Sequence, residues 1–422
     1  MTALPQSDPQ LAREGERPWR WVILGLILAG TVINYVDRQT VSVLAPQLQA
    51  DLHLSNFQYA KLTTWFLLSY TSVMWLWGAV VDRIGNRRGM ALVVGWWSIA
   101  EMAHALARGV ASLSVARAAL GLGESGHWPG ALRTLAMWFA ERQRAWAIGI
   151  ANVGAALGSA ISPPLIVWMQ LRYGWKMVFL TTGLMGVAWL TAWLTLYPKN
   201  AVAKNAAAVS AAPHEPEKPP VPWSVLLRSR EVWGIVLARF FGDPIWWLYL
   251  NWLPLYLSKA RGFSLKEIGL SAWVPYVAAG CGCFIGGWLS GRLIEHGWSV
   301  NRARKTAIAI GTLCMPAGIA AAYAQSPYVA LAFISVTLFG FQFWVSNVQV
   351  LPSDYLPVGV VGAVSGLSGC SAALGAMIFN FSTGWIVDNF SYTPVLVTAG
   401  LLAPLATVSL FLLAGRVRPL AV

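Results

Sequence analysis

The sequence is poor in charge. Asp, Glu, Lys and Arg make up 11% of its 422 residues, whereas a soluble globular domain has about 25%. So few charged side chains cannot cover a water-facing surface of this size, which excludes an ordinary soluble enzyme. Hydrophobic residues reach 57% and include 24 Trp, which excludes a disordered chain. The composition predicts a protein that lies in a lipid bilayer.

Cysteine and catalytic motifs are also scarce. The chain has four cysteines, all inside apolar stretches, and neither their spacing nor their setting fits a zinc site or a disulfide framework. We expect no metal ion and no cofactor. Because the sequence also shows no paired catalytic carboxylates at a membrane face and no nucleophile motif, we predict that it is not an enzyme. The cysteines are Cys281, Cys283, Cys314 and Cys370.

Long apolar runs are abundant. A helix that crosses the hydrocarbon core needs about 20 mostly apolar residues, and the sequence contains twelve such spans, six on each side of a polar, Pro-rich stretch. The spans are predicted at 20–46, 57–81, 89–107, 111–136, 143–168, 175–197, 231–258, 268–293, 304–324, 328–351, 357–387 and 394–415. The predicted fold is an all-α integral membrane protein with a segment at 1–19, a six-helix lobe at 20–197, a linker at 198–230, a second six-helix lobe at 231–415 and a tail at 416–422.

The positive charges fall unevenly along this topology. Of the 30 Lys and Arg residues, 20 lie on the side that holds both termini, 7 on the opposite side and 3 within spans. Cytoplasmic loops carry an excess of Lys and Arg. We therefore predict a multi-pass protein of the inner (plasma) membrane with both termini in the cytoplasm. The net charge of +13 then reflects topology, and no nucleic-acid partner is expected.

The first span contains the run Asn34-Tyr35-Val36-Asp37-Arg38. A charge at the bilayer centre costs at least about 2.5–3.5 kcal/mol, so charged residues inside spans are functional candidates. Asn34 and Tyr35 share a helix face with Arg38, while Asp37 points elsewhere. This pattern fits an arginine that faces a cavity beside a phenol. The alternative is an Asp37–Arg38 pair used only for packing.

The fourth span carries Arg117 and Glu124, which stand two helical turns apart and share one stripe. A buried glutamate that can bind a proton is suited to coupling, and Asp, Glu and His inside spans form proton relays in transporters. The alternative is a permanent structural bridge. In the third span, Glu101 and His104 stand at i,i+3 and are predicted to be mainly structural.

Further polar groups lie in other spans. Tyr70 in the second span offers a hydroxyl suited to a polyol, and the seventh span carries Arg239 and Asp243 at i,i+4. The tenth span supplies hydrogen-bonding side chains from Gln342, Trp344 and Asn347. The seventh span also carries aromatic residues that line a cavity or, as the alternative, face lipid: Trp246, Trp247 and Trp252.

The loop after the second span, residues 78–88, reads Gly-Ala-Val-Val-Asp-Arg-Ile-Gly-Asn-Arg-Arg. It resembles the signature loop of the major facilitator superfamily, and Arg117-x3-Gly121-x2-Glu124 resembles the fourth-span motif of that superfamily. The corresponding loop of the second half has Gly291 where the acid belongs. The resemblance implies twelve helices in two pseudo-symmetric six-helix lobes and a cytoplasmic gate that latches the two halves. The gate residues are Gly78, Asp82, Arg83, Gly85, Arg87 and Arg88.

Within the superfamily the sequence is similar to the anion:cation symporter branch and, inside it, to hexuronate transporters. The likeness rests on the first-span and fourth-span motifs and on residues 243–247, 261–269, 297–305 and 351–354. It covers most of the chain outside the linker and the terminal segments. The implied roles are carboxylate binding by Arg38, contacts to the sugar acid by Tyr35 and Tyr70, proton binding by Asp37 and Glu124, and adjustment of those protons by Arg117.

Three positions depart from that pattern. The eighth span has no acid near Ala279-Gly280, the tenth has Val350 where a hydroxyl residue is common, and the eleventh has Cys370 where some sugar-acid carriers have an amide. Fewer polar groups in the second half imply a smaller or less hydroxylated acid than a hexuronate, or a different orientation in the site.

Together these patterns predict a secondary active transporter that works by alternating access. Its predicted activity is proton-coupled uptake of an organic monocarboxylate, with a sugar acid such as a hexuronate or aldonate as the expected substrate. Its expected partners are this anion, protons and the lipid bilayer, and we expect a functional monomer. The alternatives are an exchanger of organic anions or organophosphates, for which Arg239 would face the cavity, and a Na⁺-coupled symporter of a non-sugar carboxylate. The predicted substrate-binding residues are Arg38, Tyr35, Tyr70, Asn347, Trp344 and Gln342.

Overall fold

The computed structural model describes residues 17–139, 141–198, 223–356, 358–415 and 417, and the described residues form helices without any strand. The helices form twelve long segments. Where a turn divides a segment into two helices, both helices share one label. The first six are α1 (Arg17–Val43), α2 (Asn56–Ile84), α3 (Asn86–Ala103), α4 (Val110–Glu124 and His127–Trp138), α5 (Glu141–Tyr173) and α6 (Trp175–Leu196). The second six are α7 (Arg230–Leu255), α8 (Leu265–Ser271 and Val274–Glu295), α9 (Val300–Cys314 and Ala317–Tyr323), α10 (Pro327–Val348 and Leu351–Tyr355), α11 (Val358–Asn389) and α12 (Tyr392–Ala414).

Four predicted continuous spans are each broken into two helices, and proline is the cause. Proline lacks a backbone N–H, and its ring clashes with the carbonyl four residues earlier. In α4 the turn at Ser125 and Gly126 precedes Pro129 by one turn. Segment α9 breaks at Pro316, and α10 breaks just before Pro352. In α8 the second helix begins at Val274, and Pro275 lies in its first turn.

Nine helices among the described residues are long and apolar enough to cross a membrane by length and composition. The three remaining segments, α3, α4 and α7, carry charged residues within them, which lowers their hydropathy. Arg117 and Glu124 of α4 and Glu101 of α3 are buried inside the bundle rather than exposed to lipid. The architecture therefore agrees with the predicted all-helical membrane fold.

The two halves repeat one packing pattern. In the N lobe (α1–α6), α1 packs on α5, α2 on α4, and α3 on α6. In the C lobe (α7–α12), α7 packs on α11, α8 on α10, and α9 on α12, which is the same set shifted by six segments. The lobes meet along α1 with α7, α2 with α11, and α5 with α8. The predicted domain boundaries stay predictions, because residues 1–16, most of the predicted linker (199–222) and most of the tail lie outside the described residues.

Each lobe has an even number of segments, so α1 begins and α12 ends at one end of the bundle, which we call the terminal end. At the opposite end, the far end, the lobes are joined. The hydroxyls of Tyr59 in α2 and Ser42 at the end of α1 donate hydrogen bonds to the backbone oxygen of Asn251 in α7, at 2.6 and 2.9 Å. The Asn380 side chain in α11 donates to the backbone oxygen of Ala60 at 3.3 Å.

A carboxylate strengthens this closure. Asp388, at the end of α11, accepts hydrogen bonds from the backbone N–H groups of Asn56 and Phe57 at 3.1 and 2.8 Å, and from the Asn56 side chain at 2.9 Å. Asn56 begins α2. An acid at a helix N-terminus is favourable because the unpaired N–H groups and the helix dipole both attract negative charge. The far end is therefore closed in this conformation.

The terminal end lacks an equivalent closure in the part of the chain that the structure describes. Asp82, at the end of α2, is 68% exposed, and it pairs at 2.9 Å with Arg133 of its own lobe. Gly78 in α2 and Gly366 in the first half of α11 have open space beside them, with no atom within 4 Å of the position where a Cβ would lie. The bundle is thus closed at the far end and open at the terminal end.

Candidate substrate site

Arg38 is the centre of a buried polar site between the lobes. It lies one helical turn before Ser42, directly beneath the closed far end, and is 5% exposed. Its Nε and Nη2 donate hydrogen bonds to Oε2 of Glu124 at 3.1 and 2.8 Å, and Nη2 also donates to Oδ1 of Asn34 at 3.1 Å. Arg38 is thus paired with the acid of α4, not with Asp37 beside it in the chain.

Aromatic rings enclose the Arg38 guanidinium. Its Cζ atom lies 4.9 Å from the ring centre of Tyr35, 5.1 Å from Tyr70 and 5.3 Å from Phe66. A fourth ring, Trp247 of α7, lies 5.6 Å away and belongs to the C lobe. The structure therefore brings together three predicted residues, Arg38, Tyr35 and Tyr70, and places them at the boundary between the lobes.

Replacing Trp247 should weaken substrate binding without unfolding the protein. Trp247→Ala removes the C-lobe ring that faces Arg38, and a cation–π contact contributes about 0.5–2 kcal/mol. We expect the substrate dissociation constant to rise about 2- to 30-fold, measured by substrate-induced thermal shift of the purified protein. The matched control is Trp246→Ala, because Trp246 packs inside the C lobe against Phe341. If the two variants lower affinity equally, Trp247 has no specific role in the site.

Glu124 and Arg117 share the stripe predicted for the fourth span. Both are buried, with 0% and 1% exposure. Oε1 of Glu124 and the Nε and Nη1 atoms of Arg117 have no hydrogen-bond partner. Both guanidiniums contact the Phe66 ring, whose centre lies 4.5 Å from Cζ of Arg117 and 5.3 Å from Cζ of Arg38. The Glu124 carboxylate bonds Arg38 through one oxygen, so its other oxygen is free to take a proton.

Asp37 and Glu101 form a second group of acids behind Arg38. Asp37 is fully buried, and neither of its carboxylate oxygens has a hydrogen-bond donor. Glu101 is also fully buried, and its Oε1 accepts a hydrogen bond from the Thr182 hydroxyl at 3.1 Å while Oε2 has no partner. Glu101 and Glu124 lie close enough to Asp37 for the carboxylates, when ionised, to repel one another.

The structure changes the interpretation of Glu101, which sequence reasoning treated as mainly structural. His104 Nδ1 lies 2.9 Å from the backbone oxygen of Ala100 and 3.8 Å from Glu101 Oε2. The histidine is thus bonded to its own helix, whereas the acid faces Asp37 and Thr182. The position of Glu101 in the sequence could have identified it as part of the site, because an acid inside a span is a functional candidate by default.

The C-lobe residues predicted for the site lie elsewhere. The Trp344 Nε1 donates to the Thr407 hydroxyl at 2.9 Å, and the ring is fully buried within the C lobe. The Asn347 amide donates to the backbone oxygens of Gly286 and Phe343, both at 3.0 Å. The structure does not bring these two side chains to Arg38. Gln342 is half-buried on α10 and remains a candidate.

The signature-loop residues form contacts within the N lobe. Gly85 has a φ of +81°, a conformation that favours glycine. Arg87 donates to the backbone oxygen of Leu194, and Arg83 and Arg88 are exposed. Within the described residues the loop therefore does not show the implied latch between the lobes, which agrees with an open terminal end.

Two further ion pairs involve residues singled out in the sequence. In the C lobe, where Gly291 replaces the loop acid, Asp354 at the end of α10 supplies a carboxylate 2.9 Å from Arg304 Nε. In α7, Arg239 and Asp243 form an i,i+4 ion pair at 2.8 Å. The charge of Arg239 is therefore neutralised inside its own helix.

Two pseudo-symmetric helical lobes, sealed at one end above a buried charged site, define a membrane transporter and not an enzyme. The sequence comparison places it in a family. The model of the Major Facilitator Superfamily matches residues 27–380, and the chain belongs to that superfamily. The predicted all-helical membrane fold of this superfamily is thereby confirmed, and the twelve observed segments are consistent with the predicted count.

Several known proteins similar to the chain are sugar-acid transporters by name. It is 32% identical to the hexuronate transporter of Escherichia coli (strain K12), covering 89% of each chain. It is 35% identical to the galacturonate transporter of Dickeya chrysanthemi, covering 74% of this chain and 94% of that protein. It is 28% identical to the D-galactonate transporter of Escherichia coli O6:H1, covering 96% and 98%.

A solved structure supports the fold. A bacterial homolog of the human lysosomal transporter Spinster, in an inward-facing and unoccupied conformation, superposes with a TM-score of 0.71 at 18% identity, covering 94% of this chain and 96% of that chain. At this identity the likeness concerns the fold alone.

Proposed function

We propose that the chain is a symporter that moves a sugar acid, a hexuronate or aldonate, together with protons across the inner membrane. The observation that carries this proposal is the buried Arg38–Glu124 pair, which faces Trp247 of the other lobe directly beneath the closed far end. By the distribution of Lys and Arg, the terminal end faces the cytoplasm. The conformation described here is then open to the cytoplasm and closed to the outside.

The substrate class is supported by the chemistry around Arg38. A guanidinium presents a planar fork that matches a carboxylate with two parallel hydrogen bonds. The hydroxyls of Tyr35 and Tyr70, whose rings pack on Arg38, suit the hydroxyl groups of a sugar. Relatives named for hexuronate, galacturonate and galactonate belong to the same chemical class. From the C lobe we keep Gln342 as a candidate contact and leave out Trp344 and Asn347.

Charge balance supports proton coupling. Five buried groups lie in the N-lobe site, and with all of them ionised their charges leave one excess negative charge. A bound monoanion would make that excess two. Because a buried net charge is costly unless it is paired, two protons restore neutrality in the loaded site. We place them on Asp37, whose two buried carboxylate oxygens lack partners among the described residues, and on Glu124, whose Oε1 lacks one. The five groups are Asp37, Arg38, Glu101, Arg117 and Glu124.

The same balance explains how the carrier alternates between its two open states. The substrate carboxylate and the Glu124 carboxylate compete for the Arg38 guanidinium. Protonation of Glu124 releases Arg38 to the substrate, and departure of the substrate restores the pair. If two protons accompany a monoanion, one net positive charge moves inward, and the membrane potential assists uptake by about 2.3 kcal/mol per 100 mV.

The exchanger alternative is less well supported. A phosphate-type dianion would need a second free arginine in the cavity, and the candidate Arg239 is neutralised by Asp243 in its own helix. Coupling to Na⁺ would replace protons with a cation bound by oxygen ligands. The buried carboxyl groups of Asp37 and Glu124 have unpaired oxygens that can take up protons. We therefore favour protons, and the experiment below separates all three cases.

Purified protein in liposomes should accumulate D-galacturonate when only an inward proton gradient is imposed. The liposomes hold no internal organic anion, which excludes exchange, and the buffers hold no sodium, which excludes Na⁺ coupling. We expect uptake to rise with the gradient and to collapse with a protonophore. Uptake that requires internal anion, or that requires sodium, would replace this proposal with the corresponding alternative.

A further inference from the structure

A cavity of about 560 Å³ opens at the far end of the bundle. It lies outside the contacts that close the far end and is separate from the Arg38 site. Residues of both lobes line it. The N lobe contributes the connection from α1 to α2, including Gln49, Ser55 and Asn56, and the C lobe contributes the end of α7 and the turn from α11 to α12. The volume is large enough for a small organic anion, and hydroxyl and amide groups line much of it.

The charged residues that line this cavity are Lys259 and Arg261, and none of the described lining residues is Asp or Glu. Asp388 borders the cavity, but its carboxylate accepts hydrogen bonds from Asn56 and Phe57. The Arg261 guanidinium is fixed, because its Nε donates to the Tyr256 hydroxyl at 2.7 Å and its Nη1 to the backbone oxygen of Ala324 at 2.6 Å. The cavity therefore combines one fixed guanidinium with one exposed lysine.

Two local features separate this cavity from an ordinary surface crevice. Residues Tyr256–Ala260, which carry Lys259, form a π-helical turn at the end of α7, and such turns are frequent at functional sites. Tyr392, which also lines the cavity, is 8% exposed, and its hydroxyl has no hydrogen-bond partner. Buried hydroxyls are usually paired, so an unpaired one beside the cavity is unusual, although the Tyr392 oxygen has almost no accessible surface in this conformation.

We propose that this cavity is a second binding site, for a hydroxylated organic carboxylate of the transported class, and that its occupation holds the far end closed. The carboxylate binds the Lys259 ammonium, and the Arg261 guanidinium, whose nitrogens donate to Tyr256, Ala321, Ala322 and Ala324, adds a fixed positive charge beside it. The sugar hydroxyls bind the polar groups of the N-lobe connection. The proposal rests on the proposed function only for the choice of ligand.

The location determines the consequence of binding. The cavity borders the Asp388 contact with Asn56 and Phe57, which joins α11 to α2. Opening the far end separates the two lobes and therefore divides the cavity. A ligand that binds only one conformation shifts the population toward it. High external substrate should thus slow the carrier by favouring the state that is closed to the outside.

The test measures binding of D-galacturonate to full-length protein in lipid nanodiscs, with the thermal shift of the protein as the readout. Arg38→Gln disables the site between the lobes and keeps a polar partner for Glu124. We expect this variant to retain a weak response to D-galacturonate and none to D-galactose, which lacks the carboxylate. Adding Lys259→Gln should weaken the remaining affinity about tenfold, the effect of one lost hydrogen bond to a charged group. The matched control is Lys266→Gln, an exposed lysine at the same end that does not line the cavity.

The outcomes separate this proposal from the proposed function. Absence of any response in the Arg38→Gln protein, or equal losses with Lys259→Gln and Lys266→Gln, overturns the second site. A second measurement uses otherwise unaltered protein: uptake should fall at high external D-galacturonate, and Lys259→Gln alone should relieve that inhibition. If the wild-type protein shows no uptake, the proposed function is contradicted. The dependence of binding on Lys259 is measured by thermal shift and does not require transport.

Discussion

Replacing Arg38 with lysine should abolish uptake while leaving the protein folded. The lysine keeps a positive charge beside Glu124, so the buried carboxylate is not left without a partner. It cannot form the two parallel hydrogen bonds that a guanidinium offers a carboxylate. One hydrogen bond to a charged group contributes about 1.5–3 kcal/mol, so we expect the substrate dissociation constant to rise about 10- to 150-fold.

The measurement combines thermal shift with D-galacturonate and uptake by proteoliposomes. The matched control is Arg172→Lys, because Arg172 is exposed at the far end and packs on Trp168. It should transport normally. Normal uptake by Arg38→Lys would show that the carboxylate does not need a guanidinium at this position, and the proposed binding mode would fail.

Replacing Glu124 with glutamine should uncouple the carrier from protons. Glutamine keeps the shape of the side chain and an oxygen that accepts from Arg38, but it cannot gain or lose a proton. We expect uptake driven by a pH gradient to be lost. Counterflow, in which labelled substrate exchanges for internal substrate without net proton movement, should remain.

The control for this variant is Glu295→Gln, because Glu295 is 71% exposed and lies only 3.9 Å from Arg292 at the terminal end. Its gradient-driven uptake should match that of the wild type. Loss of counterflow in a folded Glu124→Gln protein would mean that Glu124 positions Arg38 or the substrate instead of carrying the coupled proton.

The helical architecture was largely predictable from the sequence, because apolar runs of membrane length are a strong signal. The sixth span, predicted at 175–197, is observed as Trp175–Leu196. The breaks were harder to place. The fourth span was predicted as one helix, yet it turns at Ser125 and Gly126, since a proline disrupts the turn before it and not at its own position.

The candidate site was predictable in its residue types and less so in its pairings. Sequence patterns identified Arg38, Tyr35 and Glu124 as candidates, because charged and polar residues are costly inside a span. Which acid Arg38 contacts depends on how α1 packs against α4, and Glu124 lies 86 positions along the chain from Arg38. Periodicity within one helix carries no such information.

The C lobe shows the same limit. Trp246 and Trp247 are adjacent in sequence, but only Trp247 lies over Arg38, while Trp246 stacks on Phe341. Trp344 has a polar atom suited to a ligand, yet that atom bonds Thr407 of α12. Hydrogen-bonding groups inside a span indicate that a partner exists, and only the packing of helices shows whether it is substrate or protein.

The central claim is that anion and proton move together through the site of Arg38 and Glu124. A pH-sensitive dye inside proteoliposomes tests it most directly, when external D-galacturonate is added without an imposed pH gradient. We predict that the wild-type interior acidifies in proportion to the D-galacturonate that enters and that Glu124→Gln protein shows no acidification. Entry of D-galacturonate into wild-type liposomes at unchanged internal pH would contradict the account.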